Sequence, residues 1–313
     1  GLGDVYKRQY KNRSKAELQN MDLNPSSSFS DSITSTLYSK HPRTLRIKAD
    51  MVDKMNYDKI LSMYQDRFKD ASDFTFILVG NVDVEAVKPL IESYLGSLPS
   101  INRKETFKDN HIAMRKGICK NEFIRQQETP KVNNFICYSG TCKYNLRNEI
   151  LMSMTDQLLN FIYTEKVRED EGGTYGVYPM GQLIKYHTEK AVLQIFFNTA
   201  PDKQEKLIKI IYDEAEAFAK NGPDEASLNK VKEYMLKKHS EDLKENGYWL
   251  NSIDEYLYTG IDPVKDYEQI INSITPKDVQ QFANELLKQK NQITVSTVSY
   301  THLRAHETDQ YLV

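Results

Sequence analysis

Cysteine is scarce in this sequence: three residues in 313, Cys119, Cys137 and Cys142, with no C-x-x-C spacing. That count argues against a disulfide framework and a thiolate zinc site, and leaves free thiols as the expectation. Long apolar runs are missing too, the longest being strand-sized pieces such as FTFILV at 74–79, so no segment is expected to insert in a membrane. There is no dense block of Lys or Arg, and 42 basic residues stand against 44 acidic ones, which speaks against nucleic acid and anionic surfaces as partners. Paired histidines at ligand spacing are also lacking. His41, His111, His187 and His239 stand alone, and although His302 and His306 are four apart, Ala305 sits where an inverted zinc motif needs Glu. No metal is therefore expected on this chain.

What remains is an ordinary globular composition, 39% hydrophobic and 27% charged, in a chain longer than one average domain. Residues 1–9 and 298–313 read as a non-native leader and tail and are set aside from fold reasoning. Residues 10–39, rich in Ser, Asn and Lys, read as a loop or a domain edge. A helix is expected over 57–68 with Ile60, Tyr64 and Phe68 on one face, then a buried strand over 74–79, then a helix carrying Val84, Val87, Ile91 and Tyr94. The polar stretch 101–117 reads as a linker, which makes 10–100 a partial first domain and 118–297 a complete second one.

In the second unit, strands are expected near 117–125 and 132–138. A long helix follows with Ile150, Leu151, Met154, Leu158, Ile162 and Tyr163 on one face, ending at Gly172 and Gly173. Further strands fit 174–178 and 191–198, with helices over 203–220 and 224–245. The blockwise order implies α+β architecture: a mostly antiparallel sheet with helices packed on one face. TPKDVQQFANELL at 275–287 followed by ITVS at 293–296 echoes the helix-then-strand order of the first unit, as a duplicated fold would. Aromatic residues Tyr248, Trp249, Tyr256 and Tyr258 are assigned to core packing ahead of a peptide groove.

Two blocks carry a family resemblance. FTFILVGNVD at 74–83, continuing to Pro99, resembles the closing strand and helix of an insulinase/pitrilysin-like domain. VREDEGGTYGV at 167–177 is similar to the substrate-binding segment in the last domain of that zinc metallopeptidase family, where an Arg and a Tyr lie seven positions apart. The resemblance implies four related α+β domains enclosing a chamber, with Zn2+ held in the first by a His-x-x-Glu-His motif absent here. This chain is then the end of the third domain plus the fourth, and it binds peptide substrate through Arg168 and Tyr175. Its zinc-bearing N-terminal half, or a partner subunit, lies elsewhere. A phenol O–H and a guanidinium are suited to meet the negative charge that develops on a scissile carbonyl oxygen. Spacing alone leaves open that Arg168 pairs with Glu165 or Glu169 and that Tyr175 fills a core.

The expectation is a non-zinc half of a metallopeptidase, inactive by itself and periplasmic by resemblance to bacterial members. The alternative is a non-catalytic scaffold subunit of a peptidase-like assembly.

Overall fold

The computed structural model describes residues 2–125, 131–169 and 176–299. Five strands form one sheet: β1 (Ile118–Arg125), β2 (Val132–Thr141), β3 (Val177–Ile184), β4 (Lys190–Thr199) and β5 (Asn291–Ser299), in spatial order β1-β5-β2-β4-β3. The β2–β4, β2–β5 and β3–β4 ladders are antiparallel, and only β1–β5 is parallel. Strand alternation divides β2 cleanly. Ile136 and Tyr138 face one side with Leu193 and Ile195 of β4, while Phe135 and Cys137 face the other with Val192 of β4 and Ile293 and Val295 of β5.

On the first side pack α6 (Leu146–Tyr163), α7 (Gln204–Asn221), α8 (Glu225–Asp242), α10 (Tyr267–Ser273) and α11 (Pro276–Leu287). The expected stripe of α6 is buried, with Ile150, Met154 and Leu158 at most 2% exposed. Each such side chain is worth roughly 1.5–3 kcal/mol of burial. Tyr163, fully buried, places its hydroxyl 3.3 Å from the Ile211 carbonyl, which satisfies the one polar atom it brings inside. Thr275 starts α11 with a capping box, its hydroxyl accepting from Asp278 N while Asp278 accepts from Thr275 N.

The second side of the sheet is covered from the N-terminal segment, which corrects the expectation of a loop over 10–39. Residues 2–23 and 25–37 form α1 (Leu2–Leu23) and α2 (Pro25–Leu37). Asn24 caps α2, accepting from Ser26 N at 2.8 Å, and Pro25 sits at the first helical position. Serines dilute the hydropathy of α2, yet Phe29, Ile33 and Leu37 keep i, i+4, i+8 spacing and pack on Phe135, Cys137 and Val295. Asn121 of β1 donates to the hydroxyls of Ser32 and Thr36 at 3.0 and 2.7 Å, fixing the helix on the sheet. Beside it, Arg46 and Lys48 bridge Asp22 and Asp31 at 2.6–2.8 Å, tying the α1–α2 junction to the strand-like approach of α3 (Ala49–Asp53).

Next come α4 (Tyr57–Phe68) and α5 (Val84–Tyr94). The helix bounds at 57–68 agree with the sequence pattern, but the strand expected over 74–79 is not formed: those residues make no ladder. An extended segment becomes a strand only when neighbouring strands take its N–H and C=O groups, and none lies beside it among the described residues. Asp70 holds the unit together. Burial opposes its charge, but the N–H groups of Ile101, Ser72 and Arg103, at 2.7–3.0 Å, keep its carboxyl well below the usual range. Residues 101–116 have no regular secondary structure.

Candidate functional site

Against the helical face of the sheet, α6, edge strand β3, α8 and α9 (Asn246–Thr259) enclose a groove of about 1120 Å3. Its position follows from local sequence. Asn145 caps α6 by accepting from Asn148 N at 2.9 Å, which sets Glu149 in the first turn facing the groove. Further along the same helix, Asp156 accepts the N–H of Gly181 on β3 at 3.0 Å. The close approach of helix to strand requires glycine there, since a Cβ on Gly181 would lie 2.4 Å from Met152 Sδ.

Electrostatics concentrate at one end. The Tyr144 hydroxyl donates to Glu255 Oε1 of α9 at 3.1 Å, and Glu149 lines the same groove close enough to feel Glu255. Burial, reinforced by Glu255, accordingly pushes Glu149 up to about 7. Asp156 is pushed up to about 6 by burial, against the pull of the Gly181 and Gln157 N–H groups. On the same groove wall, His239 of α8 stacks on Tyr267 with ring centroids 4.3 Å apart, and its Nδ1 lies 3.1 Å from the Tyr248 hydroxyl. That ring is engaged in packing. Among the described residues no group of three or more His, Cys, Asp or Glu side chains is arranged to hold a metal ion. Cys137 is buried, its thiol pushed up to about 12 by desolvation, which leaves it a core residue.

The Arg168 side chain and all of Tyr175 lie outside the described residues, as do Gly172 and Gly173. The backbone around them is informative all the same. A π-helical extension, Thr164–Glu169, prolongs α6 through position 168, and β3 begins at Val177. The segment that carries both residues thus joins two elements that line the groove. The aromatic strip on α9 departs from its core assignment: Tyr256 and Tyr258 are exposed, while Tyr248 lines the groove. Glu149, Glu255 and Asp156 were not singled out in the sequence. The capping Asn145 three residues before Asn148 marks where α6 starts, but nothing local pairs Glu149 with a residue on α9.

Comparison with known proteins identifies the family. A family model described as the Peptidase M16 inactive domain matches residues 54–235. By sequence, the chain is 24% identical over 229 residues to the Zinc protease PQQL-like of Arabidopsis thaliana, covering 66% of this chain and 23% of that protein. It is 20% identical over 280 residues to the Probable zinc protease PqqL of Escherichia coli strain K12, covering 86% and 29%. The chain therefore spans less than a third of the length of these two relatives. The crystal structure of the periplasmic protease PqqL from Escherichia coli superposes with a TM-score of 0.80 at 17% identity, over 95% of this chain and 33% of that one. A peptidase M16 inactive domain from Pseudomonas fluorescens gives 0.75 at 17% identity, over 94% and 70%. These superpositions establish the fold as that of M16 domains, and together with the match over 54–235 they show that this chain belongs to the Peptidase M16 inactive-domain family.

Proposed function

We propose that this chain is the C-terminal, non-zinc portion of a zinc metallopeptidase and that it binds and orients peptide substrate within a chamber completed by the rest of the parent protein. The observation that carries the reading is the family match across 54–235, which takes in the Arg168 to Tyr175 segment between α6 and β3. Zinc, in this reading, would be held by another part of the parent, where it would supply Lewis-acid chemistry. Arg168 and Tyr175 act as hydrogen-bond donors to the substrate carbonyl oxygen, where negative charge develops. A periplasmic setting belongs to the same proposal, by likeness to the Escherichia coli relative.

The division at 101–117, into a partial domain and a complete one, is part of the proposal too. It is supported by the exposed apolar faces of α4 and α5, which we assign as the seat of the remaining sheet of that partial domain, supplied by the rest of the parent protein. No helix among the described residues is long and apolar enough to cross a membrane.

The test is kinetic. In the full-length parent, Arg168→Ala and Tyr175→Phe are expected to lower kcat for peptide hydrolysis by about 10²-fold, the usual cost of one oxyanion donor. Unchanged kcat in both variants would remove the carbonyl-orienting role and favour a scaffold subunit.

A further inference from the structure

Helix α9 is amphipathic in the inverse sense. The side it turns inward is polar: Tyr248, Ser252, Glu255 and Thr259 are spaced i, i+4, i+7, i+11, with Ser252 and Thr259 buried and the other two half-buried. The side it turns outward is apolar: Trp249, Leu250, Ile253, Tyr256 and Leu257 are 39, 42, 37, 52 and 55% exposed. A surface helix facing water hides its apolar stripe and shows its polar one. The reverse arrangement marks a face that another surface covers. Leu250, Ile253 and Leu257 stand at i, i+3 and i+7, a seam spacing, with Trp249 and Tyr256 alongside. The indole N–H of Trp249 already donates to the Leu243 carbonyl at 2.9 Å, so its ring brings no unmet polar group to a contact. Beside it a cleft of about 350 Å3 opens between this face and Pro263 and Val264.

The chemistry of the face selects its occupant. Residues 246–259 contain no Lys or Arg and carry Asp254 and Glu255, which does not suit an anionic membrane surface. A helix bonds its own backbone, so an extended peptide finds no row of N–H and C=O groups to pair with. An apolar protein surface fits. The chain spans less than a third of the length of the two relatives compared by sequence, so a larger remaining portion is at hand to supply one. The location agrees: a Cβ on Gly80, just past the uncovered 74–79 segment, would stand 3.7 Å from Asn246 Nδ2 at the start of α9. The beginning of α9 therefore adjoins the first unit's uncovered segment. Resting on the reading of this chain as one portion of a longer parent, we propose that the outer face of α9 is an interface covered by an apolar face of the parent's remaining portion.

Trp249 is the only tryptophan in the sequence, which places a single reporter on the face itself. The experiment is fluorine NMR of the full chain carrying fluorotryptophan, alone and mixed with the separately expressed rest of the parent protein, with amide exchange of α4 and α5 followed in the same mixture. The resonance is expected to move on addition. Leu250→Glu combined with Leu257→Glu is expected to weaken the association at least tenfold by analytical ultracentrifugation while leaving the circular dichroism spectrum unchanged. An unmoved resonance while α4 and α5 gain protection, or full affinity in the folded double variant, overturns the α9 interface and leaves the longer-parent reading standing. Absence of any association overturns both. A resonance that moves with the chain's own concentration, or with phosphatidylcholine vesicles, and not with the rest of the parent, gives the face to a second copy or a membrane and overturns the proposal. If the double variant does not fold, the fluorine comparison on the unchanged chain still decides.

Discussion

The two helices α4 and α6 carry apolar stripes of the same spacing and meet opposite fates. Ile60, Tyr64 and Phe68 of α4 are 51, 59 and 54% exposed, whereas Ile150, Met154 and Leu158 of α6 are buried to within 2%. Around α6 there are a five-stranded sheet and four further helices. Against α4 lies an extended segment without a ladder, with Phe74 edge-on to Phe68, and over 57–101 only Asp70 is buried. Periodicity in a sequence specifies which face of a helix is apolar. Whether that face is covered depends on the elements that pack on it, which for α4 we propose the rest of the parent protein supplies.

Mutations separate the two regions. The largest effect is expected for Leu158→Ala, a cavity in the main core that should cost about 2–5 kcal/mol in urea unfolding, while Phe68→Ala in the uncovered stripe should stay within about 0.5 kcal/mol. Similar losses at the two sites would mean that α4 has a core of its own. Next in size is Gly181→Val, which drives a branched side chain into Met152 and Asp156. It is expected to cost roughly 1–3 kcal/mol by the same assay and to widen the groove. Thr275→Ala, which opens the capping box of α11, should cost about 1 kcal/mol.

A smaller, pH-dependent effect should also be confined to the sheet-bearing unit. The carboxyl of Glu149 titrates near 7 when folded and at the ordinary 4.5 when unfolded. Between those values the folded chain holds a proton that the unfolded chain has released, so stability falls as pH rises through about 5 to 7. The groove's contact with solvent limits the change to about 1 kcal/mol. Glu149→Gln should flatten that slope in denaturation curves taken at pH 5, 6 and 7, and an unchanged slope would locate the titration elsewhere.

Much of this was legible in the residues, for physical reasons that differ from place to place. The bounds of α4, the apolar stripe of α6 and the strands β1, β2 and β4 follow from local spacing, which survives whatever packs on them. The α2 helix was hidden because a serine-rich run reads as loop, although Asn24-Pro25 followed by Phe29, Ile33 and Leu37 is a complete start signal and stripe. The segment 74–79 misled in the other direction, since its β-branched and aromatic content describes a preference that only neighbouring strands can realise. The groove was not legible at all. Glu149 and Glu255 lie on separate helices, and only the tertiary fold sets both on one groove.

Hydrogen exchange over 57–101 tests most directly whether this chain is one part of a larger peptidase with an uncovered seat for the rest. Measured on the chain alone, the amides of β2, β4 and α6 should exchange at the slow, globally limited rate while those of α4 and α5 exchange fast. Addition of the rest of the parent protein should then slow α4 and α5 by at least tenfold. Protection of α4 and α5 equal to that of α6 in the chain alone, or no change on addition, would contradict the assignment of that face to the missing portion.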